Sequence, residues 1–460
     1  RGGVMSEKIM KKGRTLIAAM LGTAMIAALT LWGCGTKGYD DVVAARNAAL
    51  EAAVTTTKTV TALIEPATLK QWMDEGRVNN SDPAYPDKVV ILNVVPAKNY
   101  AALHIPGSQL LDSSTELAIT RMEGVATNTS EVPTGPLMDT YVQRFGITKN
   151  TTLVFTVSNA QSLMNATRAY YTFRYWGFPK ERLKILNGGD DAWKEAAIAG
   201  SWSSSYVLTA TVPSVTATTF SVRDLYSGST ANFSTRYSIG EMLVLVDKVN
   251  LGTISATAPS GVSIIDVRGG TNATKIQNAI MDDYAKYWTS TFSPGTTTLT
   301  KTQVFFDNAA LVSYLNLENV TSAKAMNYVY CASGHRASVP FFVLDGMLNW
   351  PVTLYDGSSQ QWGSYVSTAT NKVATVWQTD ALTAGTTISR TFNISGVTPI
   401  APGTSVILDA TSNAMFTSIT DPRANQILNE DKAYFTSGGT TTTAPATNTT
   451  SGGVDEGNHC

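Results

Sequence analysis

Cys331-Ala332-Ser333-Gly334-His335-Arg336 gathers a thiol, an imidazole and a guanidinium within six residues. Ala325–Tyr330 before it has the β-branched and aromatic content of a strand, and the apolar stretch 337–344 after it has that of a helix. A thiol at such a junction lies where backbone N–H groups converge. Gly334 lets the backbone turn inward, and the helix start adds its positive dipole end, so the loop can cradle whatever the sulfur carries. Those surroundings favour thiolate, the nucleophilic form. The competing reading is a buried structural cysteine at the end of a strand. A thiolate held by N–H groups has no need of a strong base, so His335 is expected at the rim of the site rather than in an essential proton transfer. His104 is expected to be structural, and three histidines in the whole chain leave little for a His-based metal centre.

Cys-x-x-Gly-x-Arg followed by Ala-Ser resembles the active loop of the rhodanese sulfurtransferases. Ser263–Arg268 is similar to the family's strand ending in Asp-x-Arg, here Asp266-Val267-Arg268. Leu344-Asp345-Gly346…Trp350 and Tyr355-Asp356-Gly357-Ser358…Trp362 resemble the closing segments of the catalytic half. The resemblance implies a persulfide enzyme that needs no metal or cofactor. Cys331 would attack the outer sulfur of an anionic donor such as thiosulfate, expel sulfite, and pass the sulfur to a thiol or cyanide. Arg336 and Arg268 would bind the anion through paired hydrogen bonds; for Arg268 an ion pair with Asp266 is the equal alternative. Ala332, Ser333 and His335 would offer mainly backbone N–H groups, with Gly334 shaping the turn. Four residues separate Cys331 from Arg336, against five in the related phosphatases, and the smaller ring suits sulfur, selenium or tellurium better than phosphate.

The first half of the chain carries an eroded copy of the pattern. Asn93-Val94-Val95 stands where Asp-x-Arg is expected, Leu103–Ser108 resembles Gly-His-Ile-Pro-Gly-Ala, and Leu186-Asn187-Gly188-Gly189…Trp193 resembles the Asp-Gly-Gly…Trp segment. Thr156-Val157-Ser158 follows the strand Thr152–Phe155 where a nucleophile is due, without a cysteine. In the second half Lys275-Ile276…Ala279-Ile280 keeps only a trace of His-Ile-Pro-Gly-Ala-Ile. The implied fold is α/β: two rhodanese-like domains, each a mainly parallel sheet flanked by helices. The first would serve as scaffold and as one wall of the cleft.

Length and an apolar content of 43% suit more than one core. Lys8, Lys11, Lys12 and Arg14 precede an apolar stretch, Thr15–Trp32, and Gly33-Cys34 ends it, like a bacterial lipoprotein signal in which Cys34 is lipidated. A retained membrane helix is the alternative. Both readings export the body, and Gly35 after Cys34 favours the outer membrane. Without residues 1–33 the chain has 29 basic and 34 acidic residues, a net charge near −5 that argues against nucleic acid as a partner. Cys331 and Cys460 are then the other two cysteines, and no disulfide framework follows. The expected order is signal 1–33, tether 34–64, degenerate domain 65–200, connection 201–259, domain with the active loop 260–365, an extension 366–437 whose Thr/Val/Ile alternation suggests strands, and a low-complexity tail 438–460. The expected partners are an anionic sulfur or chalcogen donor, a thiol acceptor, the membrane through its anchor, and membrane redox proteins. A second reading keeps the fold but has the protein bind or help reduce selenium or tellurium oxyanions, or support an outer-membrane redox assembly.

Overall fold

Val89–Val95 is seven residues of Val, Ile, Leu and one Asn, every one buried, the composition of a parallel strand covered on both faces. It is β2 of the first sheet, whose other strands are β1 (Leu63–Ile64), β3 (Gln109–Asp112), β6 (Thr152–Thr156) and β7 (Leu183–Leu186), all parallel in the order β1-β7-β6-β2-β3. A hairpin, β4 (Ile119–Glu123) with β5 (Ala126–Glu131), projects from it. The second half repeats the plan. There β8 (Arg236–Tyr237), β9 (Val262–Asp266), β10 (Ile280–Met281), β13 (Met326–Tyr330) and β14 (Val352–Tyr355) are parallel in the order β10-β9-β13-β14-β8, with a hairpin β11 (Trp288–Phe292) and β12 (Leu299–Phe305). This computed structural model describes residues 57–366, save 59–60, 83–84, 86, 124–125, 159–160, 226–231, 251, 271–274, 277 and 293–298, and residues 424–436. The expected signal, Cys34, the low-complexity tail and Cys460 lie outside the described residues, among which no helix is long and apolar enough to cross a membrane.

The helices repeat as well. In the first half α1 (Pro66–Asp74), α2 (Ala97–Ala102), α3 (Gly135–Arg144), α4 (Met164–Tyr175) and α5 (Gly189–Ala199) follow the strands. In the second, α6 (Ile239–Asn250), α7 (Asn308–Leu317), α8 (Ser338–Phe342) and α9 (Ser358–Val366) match α1, α3, α4 and α5 in order. Asp307 starts α7 by accepting the Ala310 N–H at 2.8 Å. After α8 the chain runs through a wider π turn, Val343–Met347.

The two halves share a core. Leu92, Phe155 and Tyr171 belong to the same buried apolar cluster as Ile265, Val329 and Phe341. Helix α4 is buried almost all round because it lies between the halves. Tyr171 meets Phe341 edge-on at 5.0 Å, and Asp345 accepts from Tyr170 (2.8 Å) and Arg174 (3.0 Å).

Several expected boundaries shift. Leu63–Ile64, at the end of the expected tether, is the edge strand β1. The expected connection 201–259 contains β8 and α6 of the second sheet, and its earlier part, through Thr209, bridges to His104. Two-residue edge strands carry too little periodic signal to be read as strands. The expected strands of 366–437 give way, over its described part, to a helix, α10 (Gln426–Thr436), whose Ile427, Leu428 and Asp431 are buried at helical spacing; residues 367–423 lie outside the described residues.

Helix α10 ties both halves together. Asp431 accepts from Arg121 of β4 (2.8 Å) and from the Tyr175 hydroxyl (2.7 Å), and Phe435 packs 5.5 Å from Trp176. Just before the helix, Ala424 accepts the Gly240 N–H of α6 at 3.1 Å. Asp431→Ala leaves Arg121 buried with a diminished partner set, and removing one member of a buried ion pair costs about 3 kcal/mol. A urea titration of that variant is expected to show this loss; a change below about 0.5 kcal/mol, the range of ordinary surface substitutions, would contradict the clamp.

Candidate active site

Cys331 is the first residue after β13, and it is 1% exposed. The loop folds back so that the Gly334 N–H donates to its sulfur at 3.2 Å, with Gly334 at φ +86°. Only glycine takes that conformation without strain, and a Cβ there would also overlap the Asp356 carboxylate. The start of α9 braces the loop from the other side: Ser358 Oγ accepts the Cys331 N–H (3.2 Å), the Cys331 carbonyl accepts from Ser359 N, and the Ala332 carbonyl accepts from Gln360 N.

The Arg268 guanidinium makes a two-pronged pair with Asp266, with Nε 2.9 Å from one carboxylate oxygen and Nη2 2.6 Å from the other. Cys331 is among the groups that act electrostatically on Arg268, after Asp266 and Tyr330. The ion pair with Asp266 is thus formed, and it lies within electrostatic reach of the sulfur. Arg336 donates to the Arg268 carbonyl at 3.4 Å, and its guanidinium lies 5.3 Å from the Tyr284 ring centre. Ala332, Ser333 and Arg336 are half-buried. His335 is half-buried too, and its pKa is pushed down to about 3 by desolvation and then by the Arg168 charge. Desolvation thus favours the neutral imidazole, in keeping with a residue that is not needed to carry a proton.

The residues that sequence reasoning missed come largely from the first half. Arg168 of α4, wholly buried, forms an ion pair with Asp356, donates to the Ser130 carbonyl (2.7 Å) and reaches the Gly334 carbonyl at 3.5 Å. Arg236 pairs with Glu123 (3.1 Å) and Glu131 (2.9 Å), with Asp356 3.9 Å away. Val132 N donates to Asp356 at 3.1 Å. Against the cost of burial, Arg168 holds Asp356 below its ordinary value. Glu131 goes the other way: burial, then its neighbours Asp356 and Glu123, push it up to about 8 despite Arg236. Protonated Glu131 leaves two guanidinium groups facing two carboxylates, a balanced buried set. No short motif announces Arg168, since its partners are 130, 334 and 356.

The register between the halves identifies equivalent places. Asn93 pairs with Thr156 as Asp266 pairs with Tyr330, so Val157, 0% exposed, occupies the place of Cys331. Asp190 N donates to Val157 O just as Ser359 N donates to Cys331 O. Ile105 and Ile276 also correspond, which places the faint Lys275–Ile280 trace where the resemblance put it. One assignment is corrected: the counterpart of Leu186–Trp193 is Tyr355–Trp362 alone, because Leu344–Trp350 forms the π turn after α8 and the loop leading to β14. A groove of ≈ 270 Å³ lined by Leu63, Glu65, Asn187, Phe305, Phe306 and Met347 lies at the first half's equivalent corner, away from Cys331.

Residues 65–196 match the family described as Rhodanese-like domain, so the chain contains a domain of that class. The match falls on the cysteine-free half, and the fold as a whole fits two rhodanese-like domains, the second repeating the strand order of the first. Among solved structures, the crystal structure of YnjE is similar at 17% identity and a TM-score of 0.47, covering 66% of each chain. A complex of EanB with ergothioneine is similar at 18% identity and a TM-score of 0.47, covering 67% of this chain and 69% of that one. No curated protein matches the chain.

Glu131 and Asp190, the latter raised to about 7 by burial against its bonds from Thr156 and Asn93, keep protons in the fold that an unfolded chain loses near pH 4. Their contribution to stability is full below pH 4 and is lost as pH rises through 7 and 8. Thermal unfolding at pH 5 and pH 9 is expected to show a smaller fall in Tm for Glu131→Gln than for the parent; equal falls would show that Glu131 ionises normally in the fold.

Proposed function

We propose that the protein is a sulfurtransferase that carries sulfane sulfur as a persulfide on Cys331. The observation that carries this reading is the loop geometry: a thiol at the end of a parallel strand and a backbone N–H directed at its sulfur from Gly334, with Arg268 within electrostatic reach. A hydrogen bond to sulfur favours the anionic forms, thiolate and persulfide, over the thiol. The Cys331 thiolate attacks the outer sulfur of an anionic donor of the thiosulfate type; the new S–S bond forms as the old one breaks, and sulfite leaves with the electron pair. An acceptor thiolate or cyanide then takes the outer sulfur and returns Cys331 as thiolate.

Burial of Cys331 suits this role in an exported protein, because a covered thiol resists the oxidation that an exposed one meets outside the cytoplasm. Arg268 and Arg336 are the proposed anion-binding pair, with Arg268 turning part of its fork from Asp266 to the donor. Export and lipid attachment at Cys34 belong to the same proposal and rest on the sequence alone.

Intact mass of residues 35–460 is expected to rise by about 32 Da after thiosulfate and to return after cyanide as thiocyanate appears, with Cys331→Ser unchanged throughout. A free thiol in the parent that takes no mass from thiosulfate would reject this donor class. Transfer by Cys331→Ser at the parent rate would reject the covalent mechanism.

A further inference from the structure

Four charged residues around the active loop, Arg168, Arg236, Asp356 and Glu131, stand opposite uncharged residues at the equivalent places of the other half. Arg168, the fifth residue of α4, corresponds to Phe342, the fifth residue of α8. The strand register sets Arg236 against Leu63, and Asp356 against Asn187. Val132 N donates to Asp356 as Phe305 N donates to Asn187, which sets Glu131 against Val304. The site with cysteine is thus walled by Arg, Arg, Asp and Glu, and the site with Val157 by Phe, Leu, Asn and Val. Buried ion pairs seldom add stability over apolar replacements of the same shape, so a cluster confined to the thiol's side of a pseudo-symmetric molecule points to a role in that loop.

We propose that Arg168, supplied by the cysteine-free half, is a positioning residue for Cys331: it holds Gly334 so that the Gly334 N–H stays aimed at the sulfur. Its Nη1 bridges the Gly334 carbonyl and Asp356, and a Cβ on Gly334 would meet this same Nη1 at 3.1 Å. Ser130 O fixes the other Nη, and Thr167 next in the helix bonds Ser338, which in turn donates to the His335 carbonyl at 2.6 Å. Two consecutive residues of α4 therefore hold both ends of the turn 334–335. The proposal rests on the reading of Cys331 as the reactive group, and it makes that site incomplete without the first half.

The test uses the full exported chain and two readouts: the pH profile of Cys331 alkylation by iodoacetamide, and the rate of the 32 Da gain from thiosulfate. Arg168→Met combined with Asp356→Leu removes both charges and leaves neither buried alone. With a cooperative thermal transition retained, this variant is expected to alkylate along a profile displaced upward by about one pH unit and to load sulfur roughly tenfold more slowly, the worth of one hydrogen bond to an anion. Arg168→Lys, which keeps the charge but lacks the fork, is expected to shift the same way by less, and it decides the matter should the double variant not fold. A folded variant with the parent's profile and loading rate overturns the positioning role while leaving sulfur transfer standing. A displaced profile in a protein whose parent never gains 32 Da keeps the positioning role and rejects sulfur transfer.

Discussion

The Arg168–Asp356 pair is the contact on which the rest of the molecule turns. Each member is wholly buried and each comes from a different half, so neither charge can be left behind if the halves separate. The cost of stripping water from the two is met by a dense set of donors and acceptors: Ser130 O and Gly334 O on the arginine, Val132 N on the aspartate. Those partners lie on the hairpin β4–β5 and its end in one half and on the active loop in the other, which forces one relative placement of the two sheets. Apolar packing of α4 on α8 alone would tolerate small slips; a forked guanidinium on a carboxylate does not.

Glu131 explains how three carboxyl groups coexist there with two arginines. Its Oε1 has no N–H or O–H donor facing it, and its carboxyl meets that of Asp356. A proton retained on Glu131 turns repulsion between the two into attraction. The second shared carboxylate, Glu123, receives both Arg236 Nη2 and Gln361 Nε2, linking β4 of the first half to β8 and α9 of the second. The buried polar set is in effect a network that links the hairpin β4–β5 and α4 of the first half to β8, α9 and the end of β14 in the second.

The strands that build each half were largely legible in the chain, because Val89–Val95, Thr152–Thr156, Val262–Asp266 and Met326–Tyr330 are apolar or β-branched enough to declare themselves. So was the place of the thiol, since a strand, a glycine and a helix adjoin it in sequence. Short edge strands such as Arg236–Tyr237 were not, for they owe their state to the neighbour they pair with. Helix α10 was hidden by the Thr-rich stretch before it. Arg168 could not have been found by any local pattern: its chemistry is created by residues nearly 40, 166 and 188 positions away.

A half without a nucleophile needs no buried charge if scaffolding is its only task. Its own loop is such a scaffold, with Val157 sealed at the nucleophile's place and Asp190 bonded by Asn93 and Thr156 and raised to about 7 by burial. Its face toward Cys331 is not. Hairpin β4–β5 and helix α4 present there Glu123, Glu131 and Arg168, charges that are costly to bury and that gain their partners only when the second half docks. The division of labour is therefore uneven within one domain: the place equivalent to Cys331 holds a sealed valine and the corner beside it a groove with Glu65 and Asn187, while the face toward Cys331 carries the buried charges that hold the turn 334–335 under the sulfur atom.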